Sequence, residues 1–399
     1  MRSYRELIRT LAEKTITPAV VLALRKQVGE GTANAILEIA SLQSKAISKF
    51  GDGVWMVNSR ALQQATDRVV ANYKASLFPD CIVIDLCGGV GGDAMGFARR
   101  GPVITVDADP RVTSMAAENL RSIDAQAAVA VCADVTTYFT PKQVASGRIG
   151  LHIDPDRRPN EQRTTAPDRY SPSFDFVSAM IAASKSAIIK LAPAASIDAL
   201  HASQYQYHRH WISLGGSVRE QSLLCGASMD VAGFLPGGCS AVRLFRDGRR
   251  ELFAATTGSR AHQTLSTTQP LSYMFDFDPA VRAAGLSAML GSDRELACLG
   301  EASGFFTSDT LPDNRSMTQC FECVWTGPAD IKQLRKVVGK LELSVDVVKV
   351  RGTDHDPVKL QNTLRSKVPG KSTTLLIGRS TTGVYAALAF PVNELVSLR

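Results

Sequence analysis

No run of about 18 uncharged apolar residues occurs in the chain, so a membrane-crossing helix is not expected. The opening stretch MRSYRELIRTLAEKT has neither an apolar core nor a small-residue cleavage site, which argues against a secretory leader. Cysteine is scarce. Its eight copies in 399 residues lack the rhythm of a disulfide scaffold, so reduced thiols in the cytoplasm are expected. Cys320 and Cys323 form a CxxC, but no second pair stands at zinc-finger spacing. Both read as strand residues rather than metal ligands. Internal repeats and low-complexity tracts are missing too, which argues against a repeat architecture.

What is present fits a soluble globular chain. Hydrophobic residues make up 45% and charged ones 21%, and the length exceeds what one core usually serves, so two or three domains are expected. The net charge of +7 is unevenly spread: residues 1–75 carry +5 and 325–399 carry +6, while 76–324 carry −4. Basic ends around an acidic middle suit a polyanionic partner, and equally a solvated surface.

Three helices are expected first. Thr17 caps one, with Pro18 in its first turn and Val20, Val21, Leu24 and Val28 inward. Thr32 caps another, with Ile36, Leu37, Ala40 and Ile47 inward; Ser59 opens a third, with Leu62, Ala65, Val69 and Tyr73 on one face. From Cys81 strands and helices alternate. Strands are expected at Cys81–Leu86, Val103–Val106, Ala127–Cys132, Ile149–Ile153 and Ala187–Lys190, then at Val218–Leu224 and Ala241–Leu244 as an antiparallel edge hairpin. The βαβ order predicts an α/β fold, a Rossmann-like parallel sheet covered on both faces. His208 and His210 beside Trp211 read as an exposed helix end. His262–Pro270 is the candidate linker, and a β-α-β-α-β-β order from about Phe321 reads as a small α+β domain. The expected domains are thus 1–76, helical; 77–261, α/β; and 271–399, α+β.

The strongest chemical signal is Ile84-Asp85-Leu86-Cys87-Gly88-Gly89-Val90-Gly91-Gly92-Asp93. Its glycines allow close backbone approach and positive φ, and the helix that follows offers free N–H groups to an anionic group. One βα unit later Asp107 ends a strand, where a carboxylate can accept from both ribose hydroxyls. Gly89-Val90-Gly91 with Ala94 also matches a dinucleotide fingerprint, so the glycines alone do not discriminate. Further acids do. Asp85 before the loop would oppose a pyrophosphate but suit a sulfonium and an ammonium. Asp134 can accept from an adenine amine, and Asp154 ends the fourth strand at the same crevice.

Together these residues resemble the class I S-adenosylmethionine-dependent methyltransferases, DLCGGVGGDA and VDADP especially. The resemblance implies S-adenosyl-L-methionine as cofactor, with Gly88, Gly89 and Gly91 at its methionine end, Asp107 at the ribose and Asp134 at the adenine. Cys87, Ala108 and Val135 complete the expected cofactor set, Cys87 with core packing as the alternative. Asp154 is the expected acceptor-orienting residue, Asp156 the second, and Lys190 a further cleft residue. The loop Asp154-Pro155-Asp156-Arg157-Arg158-Pro159 has no aromatic of the kind that stacks a flipped base. Ile189-Lys190-Leu191-Ala192-Pro193 has no nucleophilic cysteine, which excludes the ring-carbon mechanism of some RNA enzymes. The Arg-rich stretch through Arg163 and Arg169 suits phosphates, or ion pairs of Arg157 and Arg158 with Asp156 and Glu161. RALQQAT, IDPDRR, YSPSFDFV, IKLAP and VRGTDHDP resemble a bacterial methyltransferase group with a C-terminal THUMP-like domain, which implies an RNA partner. The cofactor loop also resembles trimethylguanosine synthase, although that family carries an aromatic at the acceptor motif. No metal is expected, and the oligomeric state is left open.

Overall fold

A computed structural model of the chain describes residues 4–157, 164–197, 205–255, 265–301, 304–365 and 370–392. They fall into two compact units: Met1–His210, Glu220–Gly238 and Leu244–Gly248 in the first, Trp211–Arg219, Cys239–Arg243 and Arg249–Arg399 in the second. Among the described residues no helix is long and apolar enough to cross a membrane.

The first unit begins with α1 (Tyr4–Ala12), α2 (Pro18–Val28) and α3 (Glu30–Phe50). Thr17 caps α2, its Oγ1 accepting from Val20 N at 3.4 Å. Gly29, at φ 80°, ends α2 and opens α3, so α3 starts two residues before the expected Thr32 cap. Ile47, expected inward, is exposed. The expected third helix is two, α4 (Ser59–Gln64) and α5 (Arg68–Ala75). α4 opens at Ser59 as expected, with Asn58 as its cap accepting from Ala61 N at 2.8 Å; Asp67 caps α5, accepting from Val69 N at 2.9 Å. The Asp67 cap satisfies helix-end N–H groups that an unbroken helix would not expose. The break carries Thr66 into the interior.

An alternating series follows: β1 (Ile82–Leu86), α6 (Gly92–Ala98), β2 (Val103–Asp107), α7 (Pro110–Ser122), β3 (Ala128–Cys132), α8 (Val135–Tyr138), α9 (Pro141–Val144), β4 (Ile149–Ile153), α10 (Phe174–Ala183) and β5 (Ser186–Leu191). Then come β6 (His208–Leu214), β7 (Ser217–Gly226) and α11 (Ala227–Ala232). The strands run in the order β3-β2-β1-β4-β5-β7-β6, with β1 to β5 parallel and β7 antiparallel to β5. β7 is therefore an interior strand, not one arm of an edge hairpin with Ala241–Leu244. His208 and His210 lie in buried strand β6 rather than at an exposed helix end. Their ring nitrogens make this possible: Tyr73 OH stands 2.9 Å from His210 Nε2, and His208 Nδ1 is 3.0 Å from Leu235 O. Burial lowers the His210 pKa to about 3, so that ring is neutral.

The chain continues with β8 (Cys239–Leu244) and β9 (Arg250–Ala254). An eight-stranded sheet of the second unit comprises β10 (Ser266–Thr267), β11 (Tyr273–Phe277), β12 (Ala297–Leu299), β13 (Phe306–Ser308), β14 (Thr318–Pro328), β15 (Leu343–Val350), β16 (Lys371–Ser380) and β17 (Gly383–Pro391). Helices α12 (Pro279–Ala283) and α13 (Ser287–Asp293) precede β12, and α14 (Ile331–Lys340) and α15 (Pro357–Leu364) flank β15. From β14 onward the order is the β-α-β-α-β-β read from the sequence. Leu334, Val338, Leu360 and Leu364 of the two helices form one core with Leu375, Ile377, Ala386 and Leu388. Within the expected linker, β10 pairs with β12; residues 262–264 lie outside the described residues. Cys320 and Cys323 are both in β14.

Asn119 ties the early segment to the sheet. Fully buried on α7, its Nδ2 donates to Met56 O at 3.0 Å and Val90 O at 2.9 Å, and its Oδ1 accepts from Met56 N at 2.8 Å. Asn119→Leu strands three backbone groups. At about 1–3 kcal/mol for each orphan, less what water recovers, urea unfolding should show a loss of at least about 2 kcal/mol. An unchanged midpoint would remove Asn119 from this role.

Candidate active site

The parallel strands bring their carboxyl ends together, and the turn after β1 does so most tightly. Cys87 adopts φ 61° and Gly91 φ 84°, two left-handed positions that reverse the chain before α6. A Cβ on Gly88 would lie 1.9 Å from Thr105 Oγ1 and 2.6 Å from Asp85 Oδ2, so only glycine fits there. Backbone bonds link the strand ends: Gly88 N donates to Val106 O at 3.0 Å and Asp154 N to Leu86 O at 3.1 Å.

Asp107 faces this loop from the end of β2. Its Oδ2 accepts from Gly89 N and its Oδ1 from Asp109 N, each at 3.0 Å, and burial raises its pKa despite both bonds. Ala108 beside it is exposed. Asp134 follows β3 and is exposed; its Oδ1 accepts from Thr136 Oγ1 at 2.7 Å and Thr136 N at 2.9 Å, bonds that hold its pKa down. Val135 is buried in the sheet core, and Asp109 caps α7. Burial pushes the Cys87 thiol well up, with Asp107 adding to the effect, so it is no ready nucleophile.

Asp85 points the other way. It is fully buried, accepting from Thr105 Oγ1 at 2.9 Å, and its Oδ1 is 2.7 Å from His152 Nδ1. His152 Nε2 lies 3.3 Å from Lys74 Nζ. An ammonium only donates, so Nε2 is the acceptor and the Nδ1–H is donated to Asp85. Lys74, itself fully buried, also pairs with Asp93 at 2.7 Å and Glu220 at 2.9 Å. Burial opposes the Lys74 charge, but Asp93 and Glu220 outweigh it and raise its pKa. Burial likewise opposes the Asp93 carboxylate, yet Lys74 and Lys190 hold its pKa well below the usual range.

A second cation sits above this pair. Lys190 Nζ, on β5, is 2.6 Å from Asp154 Oδ2, 3.0 Å from Thr66 Oγ1 and 4.0 Å from Asp93 Oδ2. Burial works against its charge; Asp154, Asp93 and Glu220 prevail and raise its pKa, so it is an ammonium rather than a base. Asp154 is half-buried at the rim. Asp156 pairs with Arg60 at 3.6 Å and accepts from Gln64 Nε2 at 3.4 Å, while its backbone bridges Ser171. Arg158, Glu161 and Arg163 lie outside the described residues.

The sequence reading did not single out Lys74, His152 or Glu220. Their signal was a charged or polar residue inside an otherwise apolar element, as in Ile149-Gly150-Leu151-His152-Ile153. The fit of the rim to S-adenosylmethionine rests on the open backbone at Gly89, where a Cβ would meet nothing within 4 Å, and on the Asp107 carboxylate that accepts from its N–H.

The strand order and the site at the strand ends define the class I methyltransferase fold. A structure from Porphyromonas gingivalis W83, whose protein is assigned to the methyltransferases, matches the chain over 98% of both chains, with a TM-score of 0.78 and 16% identity. The family model for RNA cap guanine-N2 methyltransferases matches residues 81–154. Two proteins of Mycobacterium tuberculosis, strains CDC 1551 and H37Rv, named as uncharacterised S-adenosylmethionine-dependent methyltransferases, are each 25% identical over 338 residues, 83% of this chain and 88% of theirs. In sequence, then, the chain is similar to S-adenosylmethionine-dependent methyltransferases.

Lys74→Met leaves Asp93 and Glu220 buried without their cation, a loss of roughly 3–5 kcal/mol. The depressed Asp93 pKa adds stability above the unfolded carboxylate range, and this is lost as pH falls through the acid range. Thermal melts should therefore show the wild type losing stability on acidification. The variant, whose carboxylates gain by protonation, should narrow its deficit; a deficit constant with pH contradicts the pairing.

Proposed function

We propose that this S-adenosylmethionine-dependent methyltransferase modifies RNA in the cytoplasm and orients the acceptor with Asp154. The observation that carries the reading is the placement of Asp107 with the glycine cradle and of an ion-paired Asp154 at the ends of β2, β1 and β4. The cofactor supplies an activated methyl group on a sulfonium. The chain's own residues have the simpler tasks. Gly88, Gly89 and Gly91 offer close backbone, Asp107 accepts from ribose hydroxyls, and Asp134 accepts from the adenine amine. Asp154, kept near Lys190, accepts a hydrogen bond from the acceptor and aligns it.

Two observations support RNA. The RNA cap methyltransferase model matches residues 81–154, the segment from β1 to the end of β4. The second unit carries a groove of about 450 Å³ lined by Arg243, Arg315, Gln319, Phe321 and Lys349, among others. Three of its lining residues, Arg243, Arg315 and Lys349, are basic and none is acidic; Lys349 pairs with Asp276 and Arg243 with Glu251 and Asp278, none of which lines the groove. Basic side chains along one groove suit backbone phosphates. We read this unit as the THUMP-like, RNA-docking part.

Mass spectrometry of RNA nucleosides from cells with and without the gene should show one methylated nucleoside lost. Identical profiles would refute the RNA reading. RNA affinity should fall steeply with salt, and Arg315→Glu should weaken it roughly three- to tenfold and flatten the salt slope, by fluorescence anisotropy. A salt-independent affinity contradicts phosphate docking.

Asp107→Ala should raise the S-adenosylmethionine Kd about 10- to 100-fold by calorimetry, at roughly 1.5–3 kcal/mol per charge-assisted bond. Asp154→Ala should leave that Kd within about threefold and lower turnover about 100-fold. Equal losses of cofactor affinity in both would abolish this division of roles.

A further inference from the structure

We propose that Thr66 is a positioning residue for Asp154: its hydroxyl keeps Lys190 committed to the rim carboxylate instead of to Asp93. The proposal rests on the reading of Asp154 as the acceptor-facing group. Two carboxylates compete for one ammonium here. Lys190 Nζ is 2.6 Å from Asp154 Oδ2 and 4.0 Å from Asp93 Oδ2, and Thr66 Oγ1 stands in the longer gap, 2.6 Å from Asp93 Oδ2 and 3.0 Å from Lys190 Nζ. The polarity of the bridge is determined. A carboxylate only accepts, so Thr66 gives its one proton to Asp93 and presents a lone pair to Lys190. Asp93 is thereby supplied with a neutral donor at Oδ2 and the Lys74 cation at Oδ1, and its pull on Lys190 is met.

Everything except Asp154 in this set is buried, Thr66, Asp93 and Lys74 included, so no bulk water competes for the bridge. At that depth a missing hydroxyl is costly. Without it Asp93 Oδ2 loses its donor and Lys190 loses an acceptor, and both losses draw the ammonium toward Asp93. Asp154, half-exposed, then turns freely at the rim. Thr66 reaches this place only because the chain breaks between α4 and α5, so the helical segment ahead of the sheet contributes directly to acceptor alignment.

Thr66→Val is the test, since it keeps the shape and deletes both hydrogen bonds; Thr66→Ser restores the hydroxyl. Radiolabelled methyl transfer to bulk bacterial RNA should fall roughly 10- to 100-fold in kcat for Thr66→Val, the cost of a misplaced group, with the S-adenosylmethionine Kd unchanged. Thr66→Ser should recover at least half of the activity. In an Asp154→Asn background Thr66→Val should have no further effect. Wild-type kcat in Thr66→Val, or a full additional loss in the Asp154→Asn background, overturns the proposal. A second readout needs no substrate. With carbon-13 in the aspartate carboxyls, the Asp154 resonance of Thr66→Val should move at neutral pH toward its position in Lys190→Met, because the cation facing it has moved away. An unmoved resonance overturns the proposal even if RNA proves not to be the substrate. Conversely, that movement together with no transfer to RNA by the wild type supports the positioning role and refutes only the RNA reading.

Discussion

The structure of the first unit depends on a lysine ammonium held away from water. Lys74 is charged at full burial only because Asp93, Glu220 and the His152 imidazole surround it. Removing a charge from water costs several kcal/mol even after relaxation, and excellent geometry offsets that cost without exceeding it by much. Such a cluster is a poor source of net stability but a strict specification of position. Any rearrangement that separates one partner leaves a naked charge in the interior.

That strictness is useful because the cluster touches each element of the crevice. Lys74 comes from α5, Asp93 from the first turn of α6, His152 from β4, Glu220 from β7 and, through Thr66, Lys190 from β5. Asp85 closes the chain beneath the glycine loop, where Thr105 and His152 consume both its oxygens. The glycine loop and the Asp154 rim are therefore joined through one hydrogen-bonded network. Polar residues that look expensive in isolation become a frame that fixes where the loop and Asp154 stand.

The early helices are part of the same unit, as Asn119 shows by bonding both Met56 and the loop residue Val90. Their supply of Thr66 and Lys74 makes them a component of the site. The second unit has a different logic. Its helices α14 and α15 cover one core of leucine and isoleucine, while Arg315, Lys349 and Gln319 line an open groove of the same unit. Charge around Lys74 is matched and internal; the groove's lining holds three cations and no acid, with Arg243 and Lys349 paired to carboxylates that do not line it.

Local patterns were legible without coordinates. Glycine spacing, β-branched runs and the acids after the strands revealed the α/β order, the loop Asp85 to Asp93 and the β-α-β-α-β-β end, because short-range sterics and hydrophobic periodicity determine them. Four features were not legible: the break between α4 and α5, the strand at His208, the interior place of β7, and the inward turn of Asp85. Each is settled by a partner distant in sequence, such as Lys190 for Thr66, Tyr73 for His210, Ser186 through Leu191 for β7, and His152 for Asp85. A polar side chain alone reads as a surface residue. Only the folded chain supplies the hydrogen-bond partner that makes its burial possible, and so only tertiary structure decided where the charges of this protein lie.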